Sequence, residues 1–90
     1  MKNKIYLKFD STISGLAGFD YGAKVYNEQV NGQDFDTVVF PKQIELVATS
    51  FTQGFFKDLI EKYGADYVRE HYKIESDNEK VAMKVKGDIY

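Results

Sequence analysis

Residues 48–64 read ATSFTQGFFKDLIEKYG, and this stretch decides the expected fold. Its apolar residues recur every three or four positions, which is the spacing of one helical stripe. The stripe predicts an amphipathic helix over residues 50–63. Thr49 or Ser50 is expected to cap its start, because a hydroxyl oxygen there accepts an orphan backbone N–H. Gly64 suits its end. The residues of the stripe are Phe51, Phe55, Phe56, Leu59, Ile60 and Tyr63.

A glycine interrupts this stripe at position 54. Glycine inside a helix costs about 1 kcal/mol relative to alanine. We therefore expect Gly54 to mark a point where another part of the backbone comes very close, and the sheet is the expected neighbour.

Short apolar segments on both sides of this helix predict strands and further helices. Alternating apolar and polar residues at 5–9 predict a strand with one buried face. The run TVVF at residues 37–40 predicts a second strand, which Pro41 ends because proline lacks a backbone N–H. Further predicted segments are a helix at residues 21–30 capped by Asp20, an extended piece or turn at 44–47, a helix at 66–72 and an edge strand at 73–75.

Residues 78–90 fit either a helix or a strand. Val81, Val85 and Ile89 have helical spacing, whereas Val81, Met83 and Val85 alternate as they would in a strand. Ser76 and Glu79 have the spacing of a capping box, in which each side chain bonds the backbone N–H of the other residue. This pair favours the helix.

Strands that alternate with helices are typical of the α/β class. We predict one domain over residues 1–90, because 90 residues is the length of a single small domain. The predicted architecture is a small sandwich, with a mixed sheet and helices packed mainly on one of its faces.

The composition restricts the classes of function. The net charge is −2, and the usual basic excess of nucleic-acid-binding domains is absent, so we expect no nucleic-acid partner. The chain has no cysteine, which excludes disulfides and cysteine-ligated zinc and fits a cytoplasmic location. Neither a signal peptide nor an apolar run of about 18 residues is found, so no membrane association is expected.

No group of residues has the spacing of a known catalytic or metal site. His71 is the only histidine, and no G-x-S-x-G motif surrounds Thr49 and Ser50. The glycine-containing segment at residues 15–22 matches neither of the common phosphate-binding patterns. We therefore predict no catalytic residue, no metal ion, no cofactor and a non-enzymatic function.

The chain has 14 aromatic residues, namely 7 Phe and 7 Tyr. They could fill a small core, or some could form a surface patch that binds a partner. Three further candidates for partner contact lie in and directly after the loop that precedes the first predicted helix, namely Phe19, Asp20 and Tyr21.

Three segments resemble the small bacterial STAS-like family of unknown function. They are GFDYGAKVY at residues 18–26, TVVFP at 37–41 and ATSFTQGFF at 48–56. The family is named for its likeness to the sulphate transporter and anti-sigma factor antagonist domain. The resemblance covers about residues 18–76 and implies a compact sheet with helices packed on it.

The resemblance also implies a regulatory role. True antagonists carry Asp-Ser-Ser-Gly-Leu at the start of the equivalent helix, and a partner kinase phosphorylates a serine there. Thr49 falls on this position and Ser50 is its neighbour, while Ala48 and Phe51 replace the acid and the glycine. The implied partner is a histidine-kinase-like ATPase. The candidate partner-binding or phosphoacceptor residues are Thr49, Ser50, Phe51, Thr52 and Gln53.

Other functions remain open at this point. The small size, acidic balance and many aromatic residues are also compatible with a phage or mobile-element protein that inhibits a host factor. An enzyme or small-ligand binder that uses residues 15–22 is a third class. Self-association into a homodimer is compatible with each of them.

Overall fold

Short strands and helices alternate along the chain, as the sequence predicts. The computed structural model describes residues 3–90, so residues 1 and 2 of the predicted domain lie outside it. The elements are, in order, β1 (Lys4–Tyr6), β2 (Gly15–Leu16), α1 (Phe19–Gln29), β3 (Thr37–Val39), β4 (Leu46–Val47), α2 (Thr49–Phe55), α3 (Lys57–Tyr63), α4 (Ala65–His71), β5 (Lys73–Glu75) and α5 (Glu79–Gly87).

The strands form two parallel sheets. One has the order β1-β3-β5, with Val38 paired to Ile5 on one side and to Ile74 on the other. The other pairs β2 with β4, with Leu16 next to Val47. Every pair in the described chain is parallel, so the α/β class is confirmed and the prediction of one mixed sheet is wrong. The reason is the connections: each pair is joined through at least one helix, and such crossovers produce parallel neighbours.

The predicted apolar stripe forms the centre of the core. Phe51, Phe55 and Phe56 are fully buried, and Leu59 is nearly so. Tyr63, the last residue of the stripe, is 42% exposed and lies at the surface. Burying one phenylalanine side chain stabilises the fold by about 1.5–3 kcal/mol. The three phenylalanines therefore contribute much of the hydrophobic free energy of this small domain.

The helix predicted over residues 50–63 is divided into α2 and α3. Phe56 lies between them with φ −93° and ψ 5°, which is outside the helical region. The Phe56 N–H still donates to the Thr52 carbonyl and the Phe56 carbonyl still accepts from Ile60, so the chain bends here without leaving the helical path. Neighbouring residues of a straight helix point about 100° apart. The bend lets the neighbours Phe55 and Phe56 both enter the core.

A very close contact joins α1 to α2. A Cβ atom on Gly54 would overlap the carbonyl oxygen of Phe19 and lie 2.7 Å from its carbonyl carbon. A Cβ on Gly22 would overlap the carbonyl oxygen of Phe51 and lie 2.7 Å from the backbone nitrogen of Phe55. The predicted close approach at Gly54 is therefore confirmed, but its partner is a helix and not the sheet.

Several predicted element boundaries shift. The helix α1 begins at Phe19, so Asp20 lies in its first turn and Gly18 is the N-cap. The C-terminal segment is helical, and the predicted capping box is wrong. Asn78 caps α5 by accepting a hydrogen bond from Lys80 N at 3.0 Å, while Ser76 Oγ accepts one from Asn78 N. The sequence between Ser76 and Glu79 forms a turn instead of a first helical turn.

We predict that Gly54→Ala destabilises the protein. Alanine would favour the helix by about 1 kcal/mol, but its methyl group overlaps the α1 backbone, and overpacking of a core typically costs about 1–3 kcal/mol or more. Urea denaturation should show a net loss of stability. Gly87→Ala is the matched control, because Gly87 is also helical and has no atom within 4 Å of the added methyl group. Gly87→Ala should be neutral or stabilising, and equal effects of the two substitutions would contradict the close contact.

Candidate functional site

The sheet of β2 and β4 places the starts of α1 and α2 next to each other. Leu16 and Val47 are paired in parallel, and each is the last residue of its strand. The helix α1 begins three residues after Leu16, and α2 begins two residues after Val47. Ligands of open α/β sheets commonly bind at this edge, where the carboxyl ends of parallel strands meet the following helices.

The Ser50 hydroxyl joins the two helix starts. Its Oγ accepts a hydrogen bond from the backbone N–H of Gly18, the N-cap residue of α1, at 2.9 Å. The N-cap of α2 is Ala48, which makes no side-chain bond. The prediction that Thr49 or Ser50 caps α2 is therefore wrong. Both residues lie inside the first turn of α2, where their hydroxyls bond to other parts of the fold.

The Thr49 hydroxyl joins α2 to the end of α5. It donates to Asp88 Oδ2 at 3.1 Å and accepts from Lys84 Nζ at 3.0 Å. Lys84 also forms an ion pair with Asp88, and Gln53 Nε2 donates to the Asp88 backbone carbonyl. Thr49 and Gln53 are half-buried by these contacts. Their polar groups thus fasten the chain beyond α5 onto α2.

Two of the predicted contact residues do not reach the surface. Phe51 is fully buried and its ring meets that of Tyr21 edge to face, with centroids 5.6 Å apart. Thr52 is only 1% exposed, and within residues 3–90 no group bonds to its hydroxyl. In this conformation, neither side chain is accessible to a partner.

The remaining predicted residues lie on α1 and α2, near the points where the two helices begin. Phe19 is 44% exposed, Asp20 and Ser50 are exposed, and Tyr21 is half-buried against Phe51. The Gly18–Ser50 bond and the Gly54 contact hold the start of α1 beside that of α2. We call this region the helix-start surface, and it consists of Phe19, Asp20, Thr49, Ser50 and Gln53.

A separate cleft of about 400 Å³ lies between the end of α1, the following loop and α3. Three tyrosines line it, Tyr26, Tyr63 and Tyr72, together with the carboxylates of Asp34 and Asp58. The sequence left open whether its aromatic residues fill the core or form a surface patch. It did not predict this grouping, because the members are up to 46 positions apart and no local pattern links them. Other lining residues are Asn31, Gly32, Gln33, Phe35, Leu59 and Lys62.

Burial affects the ionisation of two of the cleft tyrosines. It raises the pKa of Tyr26, and the nearby charge of Asp58 adds to the effect. It raises the pKa of Tyr72 as well, with smaller contributions from the other tyrosines and from Asp34. Both phenols therefore stay protonated to a higher pH than an exposed tyrosine does.

His71, the only histidine in the sequence, lies on α4 and is distant in sequence from Thr49 and Ser50. Its Nδ1 is 3.0 Å from the Tyr67 carbonyl oxygen, and its ring stacks on that of Tyr67 with centroids 3.8 Å apart. Within residues 3–90, no three His, Asp or Glu side chains are grouped so that they could hold a metal ion. Over the same range, no helix has the length and apolar character needed to cross a bilayer.

Comparisons of the chain with models of protein families, with curated protein sequences and with solved structures found no match. The resemblance to the STAS-like family therefore stays a prediction that rests on the three quoted segments.

We predict that Thr52→Val stabilises the protein. The substitution keeps the branched shape and removes a buried hydroxyl that has no bonding partner in the described chain, and such a group costs about 1–3 kcal/mol. Thr52→Ser is the control, because it keeps the hydroxyl and removes the methyl group. Thermal unfolding should rank valine above threonine and serine below it. A loss of stability with valine would show that the hydroxyl makes a favourable contact.

The tyrosine cleft predicts a loss of stability at alkaline pH. Because the folded-state pKa of Tyr26 and Tyr72 is raised, the unfolded chain loses these protons first. The stabilisation that these two tyrosines contribute is complete below their unfolded-state pKa of about 10. It is lost as the pH rises through their pKa values in the folded state. Urea denaturation between about pH 8 and 11 should show this decline, and Tyr26→Phe should reduce it. Tyr6→Phe, which changes an exposed ring, is the control, and equal slopes in both variants would contradict the prediction.

Proposed function

We propose that this protein is a cytoplasmic, non-enzymatic regulatory module that binds another protein through the helix-start surface. We further propose that its fold is a STAS-like sandwich and that phosphorylation of Ser50 controls binding. The observation that carries the proposal is the hydrogen bond from Gly18 N to Ser50 Oγ, next in the chain to Phe19, which is 44% exposed.

The composition of this surface supports a protein partner. Protein interfaces commonly combine an aromatic anchor with surrounding polar groups. Phe19 is a large apolar side chain that is 44% exposed, and Asp20 and Ser50 provide the polar surroundings. The surface is also rigid, because the glycine contact at Gly54 fixes the backbone of Phe19 against α2. A preorganised surface loses less conformational entropy when it binds.

Ser50 is the better phosphoacceptor of the two hydroxyl residues. It is exposed, and its only hydrogen bond within residues 3–90 is to a backbone N–H. Thr49 is half-buried, and its hydroxyl already bonds to both Asp88 and Lys84. A phosphate on Thr49 would have to disrupt this cluster and would place its charge next to the Asp88 carboxylate. The sequence resemblance placed the acceptor at Thr49, and the geometry favours its neighbour.

A phosphate on Ser50 would alter the surface in two ways. It adds a charge of about −1.5 to −2 close to Phe19 and Asp20. It also replaces the hydroxyl that accepts from Gly18 N at the N-terminus of α1, where free backbone N–H groups favour an anion. The phosphate could therefore remain bonded to α1, and a partner that recognises the uncharged surface would be repelled.

The docking proposal predicts that Phe19→Asp abolishes partner binding. Tagged wild-type protein, Phe19→Asp and Met83→Asp would be used to recover proteins from a lysate of the source cells, with quantification by mass spectrometry. Met83 is the control because it is 73% exposed and lies on α5. A partner that binds the wild type and Met83→Asp but not Phe19→Asp supports the proposal. Equal recovery by all three baits would refute it.

The switch is tested separately with a histidine-kinase-like ATPase that the first experiment recovers. Incubation with ATP should place phosphate on Ser50, and Ser50→Ala should remove this signal while Thr49→Val retains it. Ser50→Asp should weaken partner binding in the same direction as the phosphate but less strongly, because a carboxylate carries less negative charge than a phosphate. If binding is unaffected by Ser50→Asp and no phosphate is transferred, the surface is a docking site without a switch.

A further inference from the structure

The cleft of Tyr26, Tyr63 and Tyr72 has no role in the proposed docking surface. We propose that it is a binding site for an organic ammonium cation, with an alkylated ammonium group held against tyrosine rings beside the carboxylates of Asp34 and Asp58.

The size and walls of the cleft suit a small organic group. Its volume of about 400 Å³ lies in the range of small-molecule sites. Two aromatic contacts hold the walls in place: Tyr26 meets Phe55 edge to face at 5.6 Å, and Phe35 packs against Tyr72 at 5.0 Å. Aromatic residues and aliphatic Leu59 are among the lining residues, and aromatic rings attract alkylated cations more than they attract hydrated metal ions.

The charges around the cleft favour a cation. Among its lining residues, Asp34 and Asp58 are negative and Lys62 is positive, which leaves a net charge of −1. Asp58 shares its charge with Lys57, whose Nζ is 3.2 Å from Asp58 Oδ1. Asp34 makes no ion pair within residues 3–90. It is therefore the carboxylate most available to a ligand.

Lys62 supplies independent support for this ligand class. Its Nζ lies 5.2 Å from the centroid of the Tyr63 ring, within the range of a cation–π interaction. An ammonium group of the protein itself thus occupies one of the rings that line the cleft. A ligand ammonium would compete with it, so Lys62 should weaken ligand binding and its removal should strengthen it.

Choline and its neutral carbon isostere, 3,3-dimethylbutan-1-ol, are the probes. They have nearly the same shape and differ in charge. Titration of isotope-labelled protein followed by NMR should shift amide signals of residues around the cleft with choline, and the isostere should bind about tenfold more weakly. Equal affinities, or no shift with choline, would overturn the proposal.

Three substitutions at exposed positions give effects of opposite sign. Asp34→Asn and Tyr63→Leu should each weaken choline binding about fivefold, whereas Lys62→Gln should strengthen it about fivefold. Asp77→Asn and Lys80→Gln are the matched controls, because both residues are exposed and lie outside the cleft. The proposal is wrong if Lys62→Gln weakens binding or if Asp34→Asn behaves like Asp77→Asn. Circular dichroism of each variant shows that it is folded.

A further titration distinguishes two sources of the cation. A short peptide that contains trimethyllysine carries the same group as choline on a protein side chain. Tighter binding of choline identifies a free metabolite as the ligand, and tighter binding of the peptide identifies a modified protein. Either result supports the ammonium site. Failure of both probes overturns it and leaves the docking proposal at the helix-start surface unaffected.

Discussion

The close approach of α1 and α2 at Gly22 and Gly54 is the constraint on which the rest of the structure depends. Each glycine lies where a Cβ atom would overlap the backbone of the opposite helix. Because both positions lack a side chain, α1 and α2 approach closely enough for the Phe51 and Phe55 rings to pack against Tyr21 and Tyr26. A wider separation would leave these aromatic pairs apart and open a gap in the core.

The same contact positions both of the proposed binding regions. Gly54 holds the backbone of Phe19 against α2, so Phe19 and Ser50 are presented together at one end of the helix pair. At the other end of α1, Tyr26 forms one wall of the tyrosine cleft. The helix-start surface and the cleft are thus two consequences of one packing arrangement, although they differ in the chemistry of the ligand each one suits.

Individual helices could be predicted from the sequence where the spacing of the residues and their apolar character indicated the same structure. The stripe from Phe51 to Leu59 predicts the buried core helix because its spacing and its apolar character agree. Val81, Val85 and Ile89 are buried while Met83 is exposed, so helical spacing described the last segment correctly. The parallel sheets were missed because pairing depends on crossovers that no short window contains. The cleft was missed for the same reason, since Asp34, Asp58 and Tyr72 meet only in the folded chain.

Short polar side chains at helix starts show why the candidate site was only partly predictable. Thr49, Ser50 and Thr52 have the same kinds of donor and acceptor, and local propensity favours a capping role for a residue at the first turn. In the fold, Thr49 bonds to Asp88, Ser50 bonds to Gly18, and Thr52 is buried without a partner in the described chain. Tertiary contacts decide which hydroxyl is accessible. Of the three, only the hydroxyl of Ser50 combines exposure with a place beside an aromatic anchor, which is why a switch is best sought there.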